Sequence, residues 1–206
     1  MKKILFAFLT LALSAVSLWA GTPVLDKMIQ AADASKGLRI TFAINMDGEK
    51  EVQGHYYAYD KKFHFTTPQM QAWYDGTNLW VYLEQNGEVN LSLPMKEDLA
   101  LINPLLNLTE VKKAAFTVHE SKIPNTGYRI TATPLKKKDS QIVQLTAEAN
   151  LKYVPTLIKI KEKGSSSEIK VTVKSITKGA FSEMNVKDFF EYTPNKLPGK
   201  PVIDLR

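Results

Sequence analysis

Residues 38–59 read LRITFAINMDGEKEVQGHYYAY. In its first nine positions Leu38, Ile40, Phe42, Ile44 and Met46 alternate with Arg39, Thr41 and Asn45, the period-two pattern of a half-buried strand. Asp47-Gly48 then supplies a turn that tolerates positive φ, and the alternation resumes in Val52–Tyr59. Two such runs joined by a tight turn pair antiparallel.

The pattern spreads in both directions from this hairpin. Downstream it returns in Phe63 and Phe65, in Leu79–Leu83, and in Val89, Leu91 and Leu93, with Asp75-Gly76 and Asn86-Gly87 as compact turns. Over 96–108 the period becomes helical through Leu99, Ile102, Leu105 and Leu106, and Pro104 divides the segment into two short helical pieces. Strand patterns resume over 115–121, 128–133, 141–147, 156–162 and 168–176. Upstream, Thr22 and Pro23 read as an N-cap and a first-turn proline. Val24, Leu25, Met28, Ile29 and Ala32 recur at helical spacing until Gly37.

Roughly ten strands and two helical regions predict an α+β domain. So long an antiparallel sheet is expected to curl, leaving a concave apolar face for the N-terminal helix and the 96–108 segment to cover.

The 206 residues are 44% hydrophobic and 23% charged, ordinary proportions for one globular domain. There is no cysteine, which excludes a disulfide framework, a Cys-ligated zinc site, a thiol nucleophile and a lipid-modified N-terminal cysteine. Lys2 and Lys3 followed by the apolar run 4–13 and the small-residue-rich stretch 15–20 form a signal-peptide pattern over residues 1–20. Cleavage is expected after Ala20, with cleavage after Ser17 or an uncleaved membrane anchor as the alternatives, so residues 21–206 are expected to form the single mature domain, exported, in a bacterium, to the periplasm. Removing the leader lowers the formal charge from +6 to +4. Lys136, Lys137 and Lys138 read as a solvated hairpin tip, and no nucleic-acid partner is expected.

Catalytic signatures are absent. His55, His64 and His119 lack metal-ligand spacing, no His-Glu-x-x-His or Gly-x-Ser-x-Gly motif occurs, and Gly164-Ser165-Ser166-Ser167 reads as a turn. Neither an enzyme, a cofactor nor a metal is expected. Nine of the seventeen aromatic residues beyond residue 20 fall between Tyr56 and Tyr82. A dry β core and an aromatic cavity wall both accommodate such a cluster, the latter favoured by the polar groups of Tyr and Trp.

Tyr74-Asp75-Gly76-Thr77-Asn78-Leu79-Trp80-Val81-Tyr82 resembles the Ser-Asp-Gly-x-x-Leu-Trp-x-Tyr hairpin of the LolA-type periplasmic carriers of outer-membrane lipoproteins. Phe63-His64-Phe65 resembles their aromatic-x-aromatic strand. Gly54 stands where the family has a glycine, and Phe190-Glu191-Tyr192-Thr193-Pro194, Gly199 and Val202-Ile203-Asp204 resemble its C-terminal pattern.

The resemblance implies a half-open β-barrel whose concave hydrophobic face is closed by a helical lid. It also implies carriage of lipoproteins from an ATP-driven inner-membrane release complex to an outer-membrane acceptor; a monomer is expected, although the sequence itself carries no signal of oligomeric state. On that reading Phe42, Tyr56, Phe63, Phe65, Trp73, Trp80 and Leu91 bind acyl chains, and Leu99, Ile102, Leu105 and Leu106 form the lid. Where the family has a lid-locking arginine followed by proline, this chain has Asp60-Lys61-Lys62. Lys61 is a candidate lid-contact cation, although it lacks the planar fork of arginine. The alternatives are a carrier of another lipid and an envelope-stress regulatory module built on the same half-barrel.

Overall fold

The computed structural model describes residues 21–35, 37–46, 49–95, 99, 102, 108, 116–135, 142–179, 181 and 186–206. Twelve strands form one sheet: β1 Leu38–Met46, β2 Val52–Tyr59, β3 Lys62–Thr66, β4 Met70–Tyr74, β5 Leu79–Leu83, β6 Glu88–Ser92, β7 Phe116–Ile123, β8 Gly127–Pro134, β9 Ile142–Asn150, β10 Pro155–Glu162, β11 Glu168–Lys178 and β12 Val202–Asp204. Helix α1 covers Pro23–Ala31 and helix α2 covers Val186–Phe190, followed by a 3-10 turn at Pro194–Lys196. Mostly β therefore replaces the α+β expectation among the described residues, with few and short helices.

The sheet order is β12-β6-β5-β4-β3-β2-β1-β11-β10-β9-β8-β7. Each run of neighbours in sequence is an antiparallel meander, and the pairing of β1 with β11 welds the β1–β6 meander to the β7–β11 meander. Leu38 stands opposite Lys178 and Met46 opposite Ile169, with one register shift between Thr41 and Phe42. Only β12 is parallel, against β6.

The expected bounds of β1, β2 and β5 coincide with those observed. Three elements were not anticipated: β4, which sits in the residues read as an approach to the Asp75-Gly76 turn, α2, and β12. Helix α1 stops at Ala31, well before Gly37. Thr22 does occupy the N-cap position, but its hydroxyl makes no capping bond; Pro23 takes the first turn as expected. The Asp47-Gly48 turn, Lys136, Lys137 and Lys138, Leu105 and Leu106 lie outside the described residues.

Period-two alternation gives the sheet two distinct faces. On the first, Leu38, Ile40, Phe42, Tyr56, Ala58, Phe63, Phe65, Ala72 and Leu79 from one meander join Ile130, Ala132, Leu145, Ala147, Ile158 and Val171 from the other in one buried cluster. Leu25 and Met28 of α1, both fully buried, close over it, and Ile102 and Leu108 belong to the same cluster. On the second face Trp73, Trp80, Tyr82, Val89, Leu91 and Tyr192 form a separate cluster.

Gly54 marks a close approach on the first face. It stands opposite Phe42, whose ring crosses the space a side chain would occupy and stacks on Phe65 at 5.4 Å. A Cβ there would lie 2.5 Å from Phe42 Cζ and 2.7 Å from the Thr66 carbonyl oxygen, and the second of these is backbone that cannot swing aside. Gly54→Ala is expected to destabilise the protein by about 1–3 kcal/mol through overpacking, read as a lower urea midpoint with unchanged slope.

Candidate functional site

The larger of the two buried apolar clusters lies on the first face of the sheet, and α1 packs into it. Four of the seven expected acyl-chain residues share it. Phe42 comes from β1, Tyr56 from β2, and Phe63 and Phe65 from β3; Phe42 stacks on Phe65, and Tyr56 meets Phe63 at 5.7 Å. Tyr74 extends the group from β4, 5.4 Å from Phe63, with its hydroxyl donating to the Gly76 carbonyl at 2.9 Å.

Trp73, Trp80 and Leu91 lie on the opposite face, which corrects the expectation that all seven line one surface. The reason is register. His64 pairs with Trp73, Trp73 with Trp80, and Trp80 with Leu91, so all four share the parity opposite to Phe63 and Phe65.

Helix α1 is held from a distance. The backbone N–H groups of Val24 and Leu25 donate to the two carboxylate oxygens of Glu120 at 3.1 and 2.9 Å, so a side chain from β7 caps the helix in place of Thr22. Glu120 stands opposite the fully buried Ile130 and is therefore an inward-facing charge on an apolar face. That position is visible in sequence as the one charge in the alternation Phe116, Val118, Glu120, and sequence reasoning passed over it.

Of the expected lid residues, Ile102 is 9% exposed and belongs to the buried cluster, and Leu99 packs against it. Lys61 sits exposed at the tip of the β2–β3 hairpin and makes no hydrogen bond or ion pair among the described residues. The contact from this turn to the segment after α1 is a backbone one: Asp60 N–H donates to the Ala34 carbonyl at 3.0 Å.

The second face carries an open cleft of about 510 Å³ lined by His64, Gln71, Trp73, Asp188, Phe189 and Lys196. His64 stacks on Trp73 at 4.9 Å and meets Phe189 edge-on at 5.3 Å, while Tyr57 lies between His64 and His55, at 5.9 and 6.1 Å. Lys196 donates to the carbonyls of Asp188, Phe189 and Glu191 and so closes the C-terminal end of α2. All three ammonium donors are thereby used by backbone. Both His64 ring nitrogens, Trp73 Nε1 and the Tyr192 hydroxyl are buried without a hydrogen-bond partner among the described residues. Burial, then the Lys196 charge, lower the pKa of His64 from 6.5 to about 4; nearby Gln71 opposes the shift without meeting hydrogen-bond geometry. No group of three or more metal-ligating side chains occurs among the described residues. No described helix is long and apolar enough to cross a membrane.

The family model for the outer membrane lipoprotein carrier protein LolA matches residues 18–164. The chain belongs to the LolA family. That family is periplasmic and typically non-enzymatic. Among solved structures, an uncharacterized conserved protein from Thermus thermophilus is 11% identical with a TM-score of 0.55, the match covering 88% of this chain and 97% of that one. At that identity the likeness shows the fold alone. A putative outer membrane lipoprotein-sorting protein domain from Vibrio parahaemolyticus is 9% identical with a TM-score of 0.43, covering 81% of this chain and 96% of its own. A LolA superfamily protein from Nitrosomonas europaea is 10% identical with a TM-score of 0.41, covering 81% and 97% respectively. No curated protein matches the chain.

The lowered His64 pKa ties stability to pH. The unfolded chain takes up this proton near pH 6.5 and the folded chain near 4, so the contribution is complete above about 6.5 and is lost as pH falls toward 4. His64→Phe keeps a ring in the stack and removes the titration. Between pH 7 and pH 5 the wild-type protein is expected to lose about 2 kcal/mol more unfolding free energy than the variant in urea titrations, and equal losses would count against a neutral buried His64.

Proposed function

We propose that this protein is a periplasmic carrier that shields the acyl chains of lipoproteins on the first face of its sheet and moves them from the inner to the outer membrane. The observation that carries the reading is membership of the LolA family together with one apolar cluster spanning both meanders, with α1 packed on its β8 side. The sheet is taken to curl into a half-open barrel around that face, since a sheet of this many strands rarely stays open and flat. Residues 1–20 act as the export signal, and residues 21–206 act as one domain and as a monomer.

The acyl-chain surface is narrowed to Phe42, Tyr56, Phe63 and Phe65, which share one face, and Trp73, Trp80 and Leu91 are left to the packing of the other. Leu99, Ile102, Leu105 and Leu106 form a cover that occupies the site when it is empty. Each buried methylene contributes roughly 0.8 kcal/mol, so a dozen supply about 10 kcal/mol toward keeping a lipoprotein in solution. A cover that competes with the chain for the same surface moderates this affinity, so loading draws on an ATP-driven release complex at the inner membrane and delivery to an outer-membrane acceptor does not. The chemistry is binding and release, with no catalytic residue, cofactor or metal.

The test is lipoprotein release. Purified residues 21–206 are incubated with bacterial spheroplasts, and newly made lipoproteins are expected in the soluble fraction, bound to the protein and dependent on ATP. Absence of release combined with free acyl lipids copurifying with the protein would replace lipoprotein by another lipid cargo. Absence of both would point to the regulatory module. Ile102→Glu places a charge on the apolar face of the cover and is expected to abolish uptake while cooperative unfolding of the sheet persists; full uptake by the folded variant would count against the cover.

A further inference from the structure

The apolar face is not uniform along the sheet. Over β1–β4 it is lined by rings, with Phe42, Tyr56, Phe63, Phe65 and Tyr74 making contacts of 5.4–5.7 Å. Over β8 and β9 the inward positions include Ala132, Ala147 and Ala149, beside Ile130 and Leu145. Short side chains leave room there for a helix, and α1 packs against β8.

Both ends of α1 are tied. At the first turn Glu120 accepts from Val24 and Leu25, and Lys27 Nζ donates to the Tyr153 hydroxyl at 3.2 Å. At the far end Lys178 Nζ donates to the Gln30 carbonyl at 2.9 Å, and Gly179 N–H donates to the Gly37 carbonyl at 2.9 Å. Nine helical residues span about 13 Å, less than three strand spacings of about 4.8 Å. A helix that starts beside β7, packs on β8 and is held at its far end by Lys178 of β11 therefore lies over the β7–β11 half, and it is the segment after the helix, through Ala34, that meets the β2–β3 turn. Lifting it would break the bonds at both ends. It would also strip an inward-facing carboxylate of its two helix donors on a face where Ile130 beside it is fully buried.

We infer that α1 is a fixed wall of the apolar face and not a moving cover, that Glu120 is the positioning residue that fixes it, and that acyl cargo is thereby confined to the ring-lined half over β1–β4. The cargo rests on the carrier reading above; the wall rests on the geometry of Glu120.

Hydrogen exchange of residues 21–206, read by NMR with and without a synthetic triacylated lipopeptide, tests both parts. In the wild-type protein the ring signals of Phe42, Phe63 and Phe65 are expected to shift on loading while exchange of the α1 amides changes by less than about twofold. In the empty protein Glu120→Ala is expected to speed α1 exchange at least about tenfold, and Glu120→Gln, which keeps one carbonyl acceptor, to recover part of that protection. On loading, Glu120→Ala is expected to bring the lipopeptide into contact with Ala147 and Ala149, which the wild type does not allow. Loss of α1 protection when the wild type is loaded, or α1 exchange unchanged by Glu120→Ala, would overturn the inference. A wild-type protein that takes up no lipopeptide would overturn the cargo and the carrier reading together, and the α1 exchange of the empty variants would still decide the wall. If Glu120→Ala does not fold, Glu120→Gln decides it by the same readout.

Discussion

The pairing of β1 with β11 holds the architecture together. Strand β1 is hydrogen-bonded on both sides, to β2 and to β11, and among the described residues it is where the two meanders pair along their length. Its register fixes which residues of each half look toward α1: Ile40 stands opposite Ile176, Phe42 opposite Val173 and Ile44 opposite Val171. A slip of one residue would turn the inward set of one half outward and leave the other facing polar side chains. The irregularity between Thr41 and Phe42 sits in this seam, where an extra residue in one strand bends the pair and increases its twist.

Antiparallel sheets commonly keep one wet face, yet β3–β5 bury apolar residues on both. On the first face the inward residues of β3, β4 and β5 join the larger buried cluster. On the second, Tyr192 and Leu197 pack with Trp73, Trp80, Tyr82, Val89 and Leu91, with Phe189 of α2 set against Tyr57 and His64 and Lys196 closing the helix. This arrangement divides the aromatic-rich segment between two tasks. The rings of one parity line the surface assigned to cargo, and those of the other pack the C-terminal segment onto the sheet. The second face contains the polar cost of the fold, since Trp73 Nε1, the Tyr192 hydroxyl and the His64 ring are buried without protein partners among the described residues.

What was legible in the sequence was local. The alternation in Leu38–Met46 and Val52–Tyr59 gave strand bounds to the residue, and Asp75 marked its turn because its carboxylate accepts from the N–H groups of Thr77 and Asn78 at 2.8 and 2.7 Å. What escaped was pairwise. Strand β4 carries Ala72-Trp73-Tyr74, three apolar or aromatic residues in succession, because both of its faces are buried, so it shows no alternation to read. Without β4 the register from Phe65 to Trp80 could not be counted, and the candidate site mixed two faces. Glu120 escaped for a related reason: a carboxylate pointing inward makes sense only when its partner is known, and the partner is a helix start 95 residues away. The family likeness, by contrast, lay in a contiguous hairpin and was accessible before any pairing was known.

The dependence of α1 on Glu120 also bears on the order in which the chain acquires structure. Nine residues are too few for a helix to persist alone in water, and this one lacks a side-chain cap of its own. Its stabilising carboxylate arrives only once β7 has been positioned, and β7 is linked to the rest of the sheet through β8, β9, β10 and β11. Long-range closure of that kind is slow compared with the zipping of neighbouring hairpins. The first described element is thus among the last to be secured, and until it settles the β7–β11 half of the apolar face stays open to solvent.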